Sequence, residues 1–313
     1  MSPALRLDAK PHWLGFFAAI CTLIGAKPAR AQNRGVYPLG MSATNSGVTP
    51  EPGFTYTNQL LFYTRDQAKD DEGGTLPITG ANTVVMDMNT LTWVSTTRIL
   101  GARYSASATL PFARNDLTSD VHGRLSGGSG FADSYYLPFI LGWSVLRADF
   151  RVMYGFLAPT GRFVAGADDN VGSGYWTHTL SSGQTVYLTH DKRLTFSAFQ
   201  LYEFHRTQEG TGVHPGQTFD LDYSLMRSIR RTTSLTFQIG VTGYEARQTT
   251  AKVGPSITPE VSTERYAVNS FGFALIAAFP KRKASLGFRY FKEFANRSTF
   301  QGYSAQVSGA ISF

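Results

Sequence analysis

Cysteine is almost missing from this chain of 313 residues, because Cys21 is the only one. A lone thiol excludes an intramolecular disulfide framework and a cysteine-based metal site. Long apolar runs are missing as well: after residue 26 no stretch is apolar enough for a membrane-spanning helix, and mean hydropathy is −0.15. Helical membrane proteins are therefore excluded. No helical period of useful length is found, so the organisation must come from another repeat.

The N-terminus has the pattern of a secretory signal peptide. Arg6 and Lys10 precede the apolar stretch Trp13–Ala26, and Ala29–Ala31 supplies small residues where a signal peptidase cuts. Its 14 apolar residues are fewer than the roughly 20 that span a bilayer. We predict cleavage after residue 31, which removes Cys21 and leaves 25 basic and 21 acidic residues. So small a net charge does not indicate nucleic-acid binding.

The C-terminus alternates with the period of two that defines a β-strand. One face carries Tyr303, Ala305, Val307, Gly309, Ile311 and Phe313, and the other carries Ser304, Gln306, Ser308, Ala310 and Ser312. An apolar alternation that ends on a terminal phenylalanine resembles the last strand of a bacterial outer-membrane β-barrel. We therefore predict that Phe313 is the signal read by the barrel assembly machinery.

Similar alternation recurs along the chain and predicts an all-β fold, a transmembrane antiparallel β-barrel of about 12 strands over residues 54–313. The predicted strands are Phe54–Thr64, Thr83–Val94, Ala102–Phe112, Phe131–Trp143, Ala148–Ala158, Tyr175–Leu188, Leu194–His205, Gln217–Met226, Ser234–Arg247, Arg265–Phe279, Ala284–Phe294 and Phe300–Phe313. The lead segment, residues 32–53, is interpreted either as a flexible periplasmic tail or as a plug in the lumen.

Connection length and charge both alternate along the predicted barrel. Long connections such as Ala113–Gly130 and Pro159–Gly174 carry acidic residues, whereas short ones such as Ser144–Arg147 and Pro280–Lys283 are basic. Long outer loops and short inner turns are typical of outer-membrane barrels, and basic turns suit anionic lipid heads. A soluble sandwich would alternate too, but the signal peptide and the terminal phenylalanine favour the membrane barrel.

A barrel of about 12 strands is wide enough for a lumen, since eight strands are nearly filled by their own side chains. The polar strand faces should line it. The charged residues predicted to face the lumen are Arg103, Asp149, Arg151, Glu203, His205, Asp220, Asp222, Arg289 and Glu293. Mixed signs suit a channel for dipolar solutes. The alternative is that these groups pair with one another inside a closed barrel.

Catalysis and metal binding have little support in the sequence. An outer-membrane lipid hydrolase needs a serine beside a histidine, but His178 and Ser181 are three residues apart and fall on opposite faces of a strand. Acidic pairs at Asp70–Glu72 and Asp168–Asp169 could hold Ca²⁺ between loops, although solvated loop charges are the simpler interpretation. We therefore predict no enzyme activity, no cofactor and no metal.

Ordered short motifs resemble the outer-membrane proteins of the MetA-pathway phenol degradation family. They are Pro52–Phe54, Thr92–Val94, Arg98–Tyr104, Leu110–Phe112, Leu157–Gly161, Asn170–Gly172, Tyr175–Trp176, Gly216–Gln217, Phe219–Tyr223 and Lys292–Phe294. The resemblance implies a barrel in the bacterial outer membrane that passively takes up small organic compounds, hydrophobic or aromatic ones included. Its partners would be outer-membrane lipids, the assembly machinery and the solute. A structural or adhesive barrel without an open pore is the alternative.

Overall fold

The computed structural model describes residues 35–119, 123–167 and 169–313 of the chain. The predicted signal peptide, including Cys21, and the loop residue Asp168 lie outside the described residues. Thirteen strands are present in this part of the chain: β1 Gly53–Ala68, β2 Gly80–Ile99, β3 Ala102–Ser119, β4 Gly123–Phe131, β5 Ser134–Val145, β6 Ala148–Ala158, β7 Thr177–Tyr187, β8 Leu194–His205, β9 Thr218–Arg231, β10 Thr236–Gln248, β11 Ala267–Phe279, β12 Ala284–Glu293 and β13 Phe300–Ser312. A short helix, α1 Pro259–Thr263, lies between β10 and β11.

The strands form a closed antiparallel barrel of twelve, which confirms the predicted fold. Strands β4 and β5 share one place in the ring, because β4 pairs with the distal half of β3 and β5 with the proximal half. Closure comes from β1 and β13, which pair from Thr55 opposite Ser312 to Ala68 opposite Phe300. Phe54 and Phe313 add two backbone hydrogen bonds of 3.1 and 2.9 Å at that seam. The barrel therefore has no unpaired edge in its wall.

The wall is apolar outside and polar inside, the inverse of a soluble sandwich. On β9 the residues Thr218, Asp220, Asp222 and Ser224 are buried, whereas Leu225 between them and the next turn is exposed. Large apolar side chains that face outward include Leu60, Phe139, Leu180, Phe271, Leu286, Val307 and Ile311. Exposed apolar residues on every second position suit a surface that lipid covers.

One predicted loop is wrong: most of residues 113–130 is strand, with β3 continuing to Ser119 and β4 starting at Gly123. This hairpin extends beyond the apolar alternation, in a stretch that includes Arg114, Asn115 and Asp116. Backbone pairing continues there, but neither face meets lipid or a packed core, so the sequence has no reason to alternate. Likewise β2 reaches Ile99, and the turn shrinks to Leu100 and Gly101, both with positive φ.

Helices contribute little to this structure. Across residues 35–119, 123–167 and 169–313, no helix has the length and apolar character that crossing a membrane requires.

Residues 35–50 are not strand, and none of them is in the exposed class. They hydrogen-bond to side chains of β6, β7, β8, β9, β12 and β13, strands from all round the ring. A segment that reaches so many wall strands must run through the interior. We call residues 35–50 the luminal segment.

Candidate functional site

The nine charged residues predicted to face the lumen all lie at inward positions of the wall. Arg103 and Arg151 are half-buried, and the other seven are buried. Five of the nine contact the luminal segment or the residues directly after it, and the remaining four do not. The lumen thus divides into groups that hold the segment and groups that brace the wall.

Two buried carboxylates bind the first half of the luminal segment. Glu203 accepts hydrogen bonds from the backbone N–H groups of Val36 (3.1 Å) and Tyr37 (2.7 Å). Asp222 accepts three: the Tyr37 hydroxyl at 2.6 Å, the Gly40 N–H at 2.9 Å and the Ser42 N–H at 3.1 Å. Both carboxylates have negligible exposure. Hydrogen bonds to ionised acceptors are the strong ones, so these two side chains anchor the segment.

Three arginines bind the second half. Arg289 donates to the Thr44 hydroxyl at 2.8 Å, and Arg151 donates to the backbone carbonyl of Ser46 at 2.8 Å. Arg103 reaches the carbonyl of Pro50 at 3.3 Å and Glu51 at 3.2 Å. Acidic anchors therefore hold the N-terminal half and basic anchors the C-terminal half, which fixes the direction in which the segment runs.

Apolar side chains of the luminal segment alternate and pack against inward-facing apolar residues. Leu39 and Ala43 join a cluster that includes Tyr244 and Phe291. Met41 packs with Leu61 and Met88, and Tyr37 contacts this cluster as well as the one around Phe199. These packed side chains close the lumen at the level of residues 37–43.

Gly40 shows how closely the segment fits. Its φ is +83°, a left-handed conformation that L-residues other than glycine adopt only with strain. A Cβ at this position would lie 2.6 Å from ring atoms of Phe291. The turn that presents the Gly40 N–H to Asp222 therefore requires glycine.

The other predicted lumen residues bond to the wall. Glu293 accepts from the hydroxyls of Tyr63 and Tyr244 and from the Gly302 N–H at 2.9 Å. Asp149 accepts from the hydroxyl of Tyr187. His205 contacts Thr177 at 2.8 Å through Nδ1 and Glu203 at 3.3 Å through Nε2. These side chains join neighbouring strands and stiffen the barrel.

Some inward polar atoms are buried with no hydrogen-bond partner among the described residues. They are Asp220 Oδ2, Arg289 Nε and Nη1, Ser304 Oγ and Gln306 Oε1. Because buried polar atoms are normally bonded, these positions suit a lumen that also admits water or a polar solute.

The residues that sequence reasoning missed are those of the luminal segment itself. Tyr37, Leu39, Met41 and Ala43 alternate with Pro38, Gly40 and Ser42, so a period of two was visible in the lead. Proline and glycine within it discouraged a strand interpretation, correctly, since the segment makes no sheet pairing in the described structure.

The alternative sites stay apart in the structure. His178 bonds to the Tyr154 hydroxyl at 2.9 Å, and Ser181 lies three positions further along β7, on the other face. Asp70 accepts from the N–H groups of Glu72 and Gly74, and Asp169 pairs with Arg162. Within the described residues, no group of three or more potential ligands is arranged to hold a metal.

Comparison with known proteins gives the chain a family and a fold. The sequence profile of the family described as "Putative MetA-pathway of phenol degradation" matches residues 65–308. Among curated proteins, none has significant sequence similarity to this chain.

Two solved structures are similar in fold. An outer membrane channel from Pseudomonas putida F1 superposes with a TM-score of 0.71 at 13% identity, over 89% of this chain and 100% of that one. The beta domain of the Bordetella autotransporter Brka superposes with a TM-score of 0.50 at 13% identity, over 84% of this chain and 100% of that one. At such low identity these similarities concern the fold.

Proposed function

Because the chain belongs to the family described as "Putative MetA-pathway of phenol degradation", we propose that it is an outer-membrane channel for passive uptake of small organic compounds. The observation that carries this proposal is the lumen: a twelve-stranded ring encloses charged groups of both signs, and a non-strand segment fills the space between them. A wall built only for stability would not need a separate peptide in its interior.

The membrane location is supported by the outward apolar surface and by the short basic turns. Leu146 and Arg147 form the turn between β5 and β6, and Pro280–Lys283 connects β11 to β12. Both turns lie at the end of the barrel where β1 begins and β13 ends. This end suits the periplasmic side, where basic residues meet anionic lipid heads. Export by a signal peptide over residues 1–31 belongs to the same proposal.

In this proposal the luminal segment is the gate. It closes the lumen through hydrogen bonds and small apolar contacts, and no covalent bond ties it to the wall among the described residues. It can therefore leave by breaking a limited number of interactions, without unfolding of the strands. The solute path is the space that the segment occupies.

A structural or adhesive barrel is the second candidate, and the filled lumen is the observation that favours it. The test compares the full chain with a variant in which residues 35–50 are deleted, both refolded into planar bilayers. A channel should give rare openings in the full chain and steady conductance in the deletion variant. If the deletion variant folds, judged by heat-modifiable gel mobility, and conducts no current, the channel proposal is wrong and the structural role stands.

A further inference from the structure

The side chain of Tyr37 is a phenol held inside the barrel. Its hydroxyl donates to Asp222 Oδ2 at 2.6 Å and accepts the Ser42 N–H at 2.9 Å. Its ring lies 5.5 Å from the ring of Phe199 at an interplanar angle of 35°. The phenol oxygen is therefore recognised as both donor and acceptor, and the ring has an aromatic partner.

Wall strands build most of the pocket around this ring. Tyr37 packs on one side against a buried cluster of wall residues and on the other against a second cluster, which contains one residue of the luminal segment, Met41. The first cluster consists of Ile140, Met153, Phe199 and Leu201, and the second of Met41, Leu61 and Met88. Methionine adapts its shape and contacts aromatic rings favourably, so such a pocket accepts rings of varied outline.

The polar end of the pocket is selective. Asp222 has negligible exposure, and Glu203 lies nearby because both carboxylates bind groups of the same residue, Tyr37. A hydroxyl donor satisfies Asp222, whereas an aromatic carboxylate would bring a third negative charge beside two buried ones. An aromatic hydrocarbon would fill the apolar part and leave Asp222 with one partner fewer.

We propose that the pocket occupied by Tyr37 is a binding site for neutral phenols, with Tyr37 as an internal competitor. A free phenol offers the same ring and the same hydroxyl, and its binding would release the anchor that Tyr37 provides to the luminal segment. The role in solute passage rests on the proposed channel function, but the binding site does not. A tethered side chain competes at an effective concentration of about millimolar, so free phenols should act in that range.

The first test uses the full chain with Tyr37→Ala, which leaves Asp222, Ser42 and the two clusters in place around a ring-sized cavity. The ligands are p-cresol, which is the tyrosine side chain itself, together with toluene and benzoate. We expect p-cresol to raise the melting temperature of Tyr37→Ala and to bind it at least about tenfold more tightly than toluene does, because only p-cresol bonds to Asp222. Benzoate should not bind.

The matched control is the double variant Tyr37→Ala with Asp222→Asn, which keeps the cavity and removes the charged acceptor. The preference for p-cresol over toluene should fall to near unity in this variant. Equal stabilisation of Tyr37→Ala by p-cresol and toluene, binding of benzoate, or a preference unchanged by Asp222→Asn would each overturn the proposal.

A second measurement serves if Tyr37→Ala does not fold. The chain from residue 32 onward has no cysteine, so Ser42→Cys creates a single thiol beside Asp222 while keeping the backbone N–H. We expect p-cresol, and not toluene, to accelerate thiol labelling of this variant at about millimolar concentration. Labelling that ignores p-cresol would refute the site. Neither measurement involves flux, so loss of binding with a conducting barrel refutes the site alone, and binding in a non-conducting barrel refutes the channel alone.

Discussion

Replacing Asp222 with asparagine should open the barrel without changing its shape. Asp222 is the residue with the most hydrogen bonds to the luminal segment: it accepts from the Tyr37 hydroxyl and from the N–H groups of Gly40 and Ser42. Asparagine has the same outline but only one acceptor oxygen. Its amide group would face at least one of these three donors, so one bond is lost and the others lose their charge.

The magnitude follows from the strength of such bonds. A hydrogen bond to a charged group contributes about 1.5–3 kcal/mol net, and a neutral one about 1 kcal/mol. Losing one bond and weakening two should therefore destabilise the closed arrangement by about 3 kcal/mol. Since 1.4 kcal/mol is a factor of ten, the open fraction should rise by about 100-fold.

Single-channel recording in planar bilayers measures this fraction directly. Asp149→Asn is the matched control, because it makes the same substitution at a buried inward carboxylate whose hydrogen bond comes from Tyr187 on the wall. We expect wild-type behaviour from Asp149→Asn. An open fraction of Asp222→Asn close to that of the wild type, or an equal rise in both variants, would contradict the role assigned to the luminal segment.

Three further predictions test other parts of the structure. Gly40→Ala should loosen the luminal segment, since the left-handed backbone costs about 1–2 kcal/mol and the added methyl group meets Phe291; faster thiol labelling of Ser42→Cys in this background would measure it, and an unchanged rate would argue against the tight fit. Deleting Phe313 should lower the amount of barrel in the outer membrane several-fold on an immunoblot while changing the melting temperature of refolded protein little; equal loss in both assays would make the residue structural only. Asp220→Asn should not lower the melting temperature, because Asp220 Oδ2 has no hydrogen-bond partner among the described residues; a fall beyond about 5 °C would reveal a stabilising contact.

Strand alternation was readable from the sequence because lipid and lumen impose it one residue at a time. The terminal stretch from Tyr303 to Phe313 and the run from Phe219 to Leu225 each place apolar side chains outward, as the structure does. Strand ends outside the apolar band were not readable, as the β3–β4 hairpin shows: its polar residues pair by backbone hydrogen bonds alone, which no side-chain pattern records.

The luminal site divides in the same way. Sequence reasoning placed charged residues such as Glu203, Asp222 and Arg289 on inward faces, because the face follows from the local period. It left open whether residues 32–53 form a tail or a plug, since that depends on contacts between residues far apart in the chain: 185 positions separate Tyr37 from Asp222.

The sequence by itself thus determined the type of fold, the approximate strands and the orientation of each side chain relative to the wall. Only the tertiary structure decided which inward charges meet the luminal segment and which brace the barrel. The physical reason is range: alternation is dictated by the two environments on either side of a single strand, whereas the partners of Glu203 and Asp222 are fixed only when twelve strands have closed into a ring around residues 35–50.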